Sequence, residues 1–156
     1  MWTAFASILL GLLALLLLAA CWFDLRSRMI PNGLNLAIAL LAIPFWWASG
    51  LAFWPDVAWQ IGLAALVFAL FAGAFALGVM GGGDVKMSGA LALWLPGNAL
   101  IVLLVIMSLA GGALTLAMVI RQRLARTQGQ LEIPYGVAIA FGGLWLISER
   151  FFYQFS

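Results

Sequence analysis

Of 156 residues, 67% are hydrophobic and only 8% charged, and the mean hydropathy is +1.18; a chain this apolar lies outside the soluble globular range and reads as a polytopic membrane protein. Seven Lys and Arg against five Asp and Glu leave a net charge of +2, too little for a nucleic-acid footprint, so no nucleic-acid partner is expected. The lone Cys21 excludes an internal disulfide and a multi-cysteine zinc site, and the absence of histidine removes the commonest metal ligand and general base. Acid/base chemistry falls to carboxylates, and no metal or cofactor is expected.

A bilayer core of about 30 Å takes about 20 apolar residues as helix. The charge-free intervals 1–23, 29–55 and 57–83 each hold one such span, predicting helices over 4–23, 34–52 and 57–80. Leu18-Ala19-Ala20-Cys21 has the look of a lipoprotein processing site, yet no cationic segment precedes it, so the first span is read as a retained membrane helix. The next interval, Met87 to Ile120, is 34 residues long; as one helix it would reach roughly 51 Å, beyond any usual tilt. Leu95-Pro96-Gly97-Asn98 supplies the break, since proline and glycine both oppose helix continuation. A short helix over 86–95 and a long one over 98–120 follow. A last span runs from 134 to 148, with Phe151, Phe152, Tyr153 and Phe155 as an interfacial aromatic anchor. The expectation is an all-α membrane protein of six transmembrane helices, with residues 1–156 forming a single domain.

Six alternating spans put the segments 24–33, 81–86 and 121–133 on one side, together with Arg26, Arg28, Lys86, Arg121, Arg123 and Arg126, six of the seven cations. The positive-inside rule makes that side cytoplasmic and both termini external. An unbroken fourth helix would carry the last three arginines across, so charge supports the break at Pro96 independently.

Three of the five acids have ordinary explanations. Asp56 follows Pro55 at the start of the third helix, where a carboxylate favours the helix dipole. Glu132 and Glu149 read as solvated interface charges beside arginines. Asp24 and Asp84 differ, because each sits at the cytoplasmic end of a long apolar run, where an acid is expensive unless it faces a polar cavity or a partner. Two carboxylates that approach closely share one proton, so one can deprotonate water while the other protonates a carbonyl. Alternatives stand beside that reading. Asp24 and Arg28 could form an ordinary i,i+4 surface pair, Asp84 could be a flanking charge with Lys86 snorkelling to the phosphates, and proton relays or ion sites share the same signature. Gly81, Gly82 and Gly83 are poor membrane-helix residues, each costing about 1 kcal/mol relative to alanine; they read either as access for a peptide backbone to Asp84 or as small-residue helix packing.

Three segments carry a resemblance. Asp24-Leu25-Arg26-Ser27-Arg28-Met29-Ile30-Pro31-Asn32 resembles the first aspartate motif of the prepilin peptidases, Gly81-Gly82-Gly83-Asp84-Val85-Lys86-Met87 resembles their second, G-x-G-D-x-K-[LM], and Ile133-Pro134-Tyr135-Gly136-Val137-Ala138 is similar to their P-[FY]-G-x-A segment. The three occur in the family's order and span essentially the whole chain. The resemblance implies a GxGD intramembrane aspartyl protease of the inner membrane that removes the leader of type IV pilin-like precursors at the cytoplasmic face. It implies Asp24 and Asp84 as catalytic residues, with Gly81, Gly83 and Lys86 as candidates for substrate contact. The bifunctional members carry an extra cytoplasmic segment with paired cysteines; this chain has only Cys21, so it looks like the short Flp-type or preflagellin peptidases, without N-methyltransferase activity. Val137 stands where the family commonly has proline. The competing class is a non-enzymatic transporter or pilus-assembly subunit that uses the two acids as a proton or cation site.

Overall fold

The structure, a computed structural model, describes residues 4–126 and 133–155. Its elements are helices: α1 (Ala4–Ser27), α2 (Asn32–Ala48), α3 (Ala58–Ala76) with a π-helical lead-in over Phe53–Val57, α4 (Gly82–Ala92), α5 (Gly97–Ala125) and α6 (Tyr135–Phe155). Among the described residues, Ala4–Ser27, Phe53–Ala76 and Gly97–Ala125 are each long and apolar enough to cross a membrane. Side chains such as Leu15, Leu66 and Leu109 are more than half exposed on the outer faces of these helices. Apolar surface pointing both inward and outward is what a bilayer permits and water does not. The fold is all-α and polytopic.

The predicted break after the fourth helix is present. Pro96 sits in extended conformation as the residue that caps α5, and its carbonyl accepts the Leu100 N–H at 2.9 Å. Other boundaries differ, each for a local reason. α1 runs to Ser27 instead of ending at 23, so Asp24 lies inside the helix; the turn closes through Arg28, which adopts a left-handed φ of 55° and donates its N–H to the Asp24 carbonyl. That is the αL termination usually given to glycine. α4 begins at Gly82, which places Asp84 and Lys86 in a helix and not in a loop. α5 continues to Ala125, so Arg121 and Arg123 ride on its last turns and are not loop residues. Glu132 lies outside the described residues, as do the side chains of Phe151, Phe152, Tyr153 and Phe155.

α4 is the hub. It packs against α2, α3 and α6, while α1 bridges α2 and α6 and α5 pairs with α6. Eight of its eleven residues are buried, although at about 16 Å it spans only half the hydrocarbon thickness. Glycine makes the α3 contact possible, because a Cβ on Gly89 would meet Phe68 at 3.1 Å. At the far end of α4 the freed carbonyls find side-chain donors. Trp46 Nε1 donates to the Leu93 carbonyl at 2.7 Å, and Gln60 Nε2 to the carbonyls of Ala92 and Leu95. With no water in the hydrocarbon to take over, these donors are what allow the helix to stop there. In the other direction, Trp94 Nε1 donates to the Ile38 carbonyl of α2 at 2.9 Å, and its ring packs on Phe45 with centroids 4.7 Å apart. Replacing buried Gln60 with leucine should therefore cost about 1–3 kcal/mol, read as a lower unfolding midpoint of the detergent-solubilised protein; an unchanged midpoint would mean that the carbonyls have other partners.

Asp56 behaves as its position suggests. Its Oδ2 accepts the N–H of Ala52, the residue preceding the π-helical turn, at 3.0 Å, a reach-back contact of the capping-box kind.

Candidate functional site

One end of the bundle collects the C-terminal turn of α1 and the N-terminal turns of α2, α4 and α6. Asp24 and Asp84, 60 positions apart in sequence, line the same cavity there, about 620 Å³ in volume, together with Ile30, Asn32, Gly81, Gly83 and Lys86. Both acids are almost wholly withdrawn from the surface, at 4% and 7% exposure. They are close enough that the charge of Asp24 acts directly on Asp84. The polar cavity and the acidic partner that buried carboxyls require are thus supplied by each other's helices.

Each carboxyl has its own backbone support. Asp24 Oδ2 accepts the Val137 N–H at 3.1 Å, and the Gly136 N–H points at the same carboxyl. Both donors belong to the first turn of α6, where N–H groups lack a full intrahelical partner; the Val137 N–H is shared with the Pro134 carbonyl at 3.2 Å. Arg28, one turn beyond Asp24, adds a favourable charge. Asp84 is held from its own side: the Gly81 N–H donates to its carboxyl.

The glycines are spent on these close approaches. A Cβ on Gly81 would lie 3.1 Å from Asp84 Oδ2, one on Gly82 would lie 3.4 Å from the Phe75 ring, and one on Gly83 would lie 3.3 Å from Ile30 Cβ. Bare backbone lets the start of α4 lie against the Met29-Ile30-Pro31 turn, with exposed Gly81 and half-buried Gly83 along the cavity wall. Lys86 lines the cavity too, its Nζ donating to Asn32 Oδ1 at 2.8 Å. That bond ties α4 to the first residue of α2.

Two contributors lie outside the residues singled out from the sequence. Gly136 is the tighter: a Cβ there would come within 2.8 Å of Asp24 Oδ2 and 2.7 Å of Ile30 Cδ1. Asn35 is the other, 5% exposed, with Nδ2 donating to the Gly83 carbonyl at 3.3 Å. The Pro134-Tyr135-Gly136 string was a sufficient signal for the first, since glycine after a helix-opening proline marks close backbone approach. Asn35 carries only the weaker signal of a polar residue facing inward on an apolar helix.

Among the described residues, no group of three or more His, Cys, Asp or Glu side chains is placed to hold a metal ion. Two carboxyls, a cavity open to water and a ring of backbone donors can perform general acid/base chemistry on a bound amide. No curated protein and no solved structure matches the chain. The type IV leader peptidase family does, over residues 11–116, an interval that holds both aspartates and both of the motifs around them. With two thirds of its length matched and the two aspartate segments folded onto one cavity, the chain belongs to the type IV leader peptidase family.

Proposed function

We propose that Asp24 and Asp84 are the catalytic pair of this leader peptidase and act on a pilin-like precursor by direct hydrolysis. The observation that carries this reading is the shared cavity, which two buried carboxyls line from different helices. A pair so placed holds one proton between them. The ionised member takes a proton from water as its oxygen attacks the scissile carbonyl, the protonated member supports the carbonyl oxygen, and the same proton later passes to the leaving amine. No side chain becomes covalently attached. The pair acts as a unit.

The cytoplasmic placement of the site, six spans and external termini belong to the same proposal. What supports them is charge: Arg26, Arg28, Lys86, Arg121, Arg123 and Arg126 all lie in the segments that six alternating spans put on one side. Reporter fusions after residues 28 and 126 should score as cytoplasmic and a fusion at the C-terminus as external; a fusion at 126 on the opposite side from one at 28 would overturn the six-span arrangement. Gly81, Gly83 and Lys86 are proposed to contact the substrate backbone near the cleavage point, as they line the wall beside Asp84.

The direct test is co-expression with a pilin-like precursor in membranes, scored by the mobility shift on leader loss. Cleavage is expected to persist undiminished in EDTA. Loss of cleavage in chelator, restored by a divalent ion, would replace the two-carboxyl mechanism with a metal-dependent one.

A further inference from the structure

The helix that carries Asp84 also floors a second cavity, which extends along the bundle from the aspartates. α4 packs closely on both α2 and α3, yet α2 and α3 scarcely touch each other. The gap between them is a trough of about 420 Å³. Its floor is one stripe of α4 and its C-cap, Lys86, Ala90 and Leu93 at i, i+4, i+7, and one wall is one stripe of α2, Asn32, Asn35, Leu36 and Ala39 at i, i+3, i+4, i+7. Phe68 of α3 forms the other wall. Leu93 continues into a smaller cavity beside Trp46 and Pro96 at the opposite end, so the trough runs along the bundle and not across it.

The trough joins the aspartate cavity. Asn32 and Lys86 line both, and their hydrogen bond marks the junction. Just inside it, Asn35 spends its amide N–H on the Gly83 carbonyl, which orients the side chain, and leaves its Oδ1 buried with no partner among the described residues. An unpaired acceptor in an apolar wall is costly.

From this geometry we infer that the trough between α2 and α3 seats the apolar segment of the pilin-like precursor that adjoins the cleavage site. The inference rests on the proposed function and adds the place of binding. The occupant is fixed by continuity: a substrate whose scissile bond lies between Asp24 and Asp84 and whose apolar segment stays in the bilayer must leave the cavity along an apolar path. The trough begins at the cavity's own lining residues and is bounded by lipid-facing side chains, Leu36 and Phe68, at 58% and 45% exposure. Helix-in-groove packing of this kind reads anchors along one face of the guest.

The experiment places a photo-crosslinking residue, p-benzoylphenylalanine, at Leu36, and as a control at Leu109 on the outer face of α5, in the full-length protein in membranes. The probe is a precursor made of a short basic leader followed by about 20 apolar residues, uncleavable copies being obtained with the Asp84→Asn background. Labelling of the precursor's apolar segment from position 36 and not from position 109 is expected. In parallel, Ala39→Trp should raise KM for this precursor about tenfold by filling the trough, whereas Leu109→Trp should leave it unchanged. If position 36 labels only lipid or a second copy of the chain, or if Ala39→Trp leaves KM at the wild-type value, the trough is not the substrate's seat. Failure of the wild-type protein to cleave the precursor at all would instead remove the proposed function, so the two outcomes are distinguishable.

Discussion

Asp24→Asn and Asp84→Asn are each expected to reduce leader cleavage by three orders of magnitude or more, roughly 4 kcal/mol of transition-state stabilisation, while the protein still inserts and accumulates. Asparagine keeps the size of the side chain and can still accept the Val137 N–H, so the packing seen around Asp24 survives the change. What it cannot do is exchange a proton with water. On the proposed mechanism the two carboxyls work as one proton-sharing unit, so the double variant should be little worse than either single one. Measured turnover of the purified protein on a precursor, normalised to folded material, decides the matter. Near-normal cleavage by either variant would refute the dyad. The competing reading, a proton- or cation-coupled membrane protein, predicts instead that the variants abolish an ion flux and that no precursor is shortened by the wild-type chain.

The second large effect belongs to a residue with no side chain. Gly136→Ala puts a methyl where Asp24 Oδ2 and Ile30 Cδ1 already stand, at 2.8 and 2.7 Å. The Ile30 tip can rotate away, but the Asp24 carboxyl can yield only by leaving the Val137 N–H. A shift on the order of 1 Å in a catalytic group costs roughly 100-fold in rate, and that is the loss expected, with insertion and expression unaltered. Gly136 acts by positioning, so its variant should differ from the aspartate variants: residual activity remains, and Gly136→Val loses more. Gly11→Ala is the control, since a Cβ there meets nothing within 4 Å. Equal activities of Gly136→Ala and Gly11→Ala would show that the close approach of α6 to Asp24 has no bearing on the rate.

These two predictions draw on different amounts of sequence information. Asp24 and Asp84 could be singled out from the chain alone because an acid at the end of a charge-free run has no ordinary reason to be there, and the hydrophobic cost that makes it conspicuous is local. The same holds for the break at Pro96, where proline and glycine act on their own peptide bonds. Helix ends were less legible. α1 passes 23 and α5 passes 120 because a helix does not stop at the first charge; it stops where the backbone finds another partner, such as the left-handed Arg28 closing α1. Likewise the glycines before Asp84 gave a signal for close approach without saying what approaches. The answer, Ile30, Phe75 and the Asp84 carboxyl itself, depends on where the other helices lie.

The sequence by itself determined the solvent, the number of helices, the pair of unusual acids and the family those motifs resemble, because each follows from composition or from contacts between near neighbours. Tertiary structure alone decided three further matters. It brought the two acids from positions 24 and 84 to one cavity, it aimed the first turn of α6 at Asp24, and it left α2 and α3 apart over the floor of α4. The physical reason is common to all three. In an apolar solvent the helices gain little from excluding lipid, so their arrangement is set by close packing at small residues and by a few long-range hydrogen bonds, and neither has a periodicity that can be read along the chain.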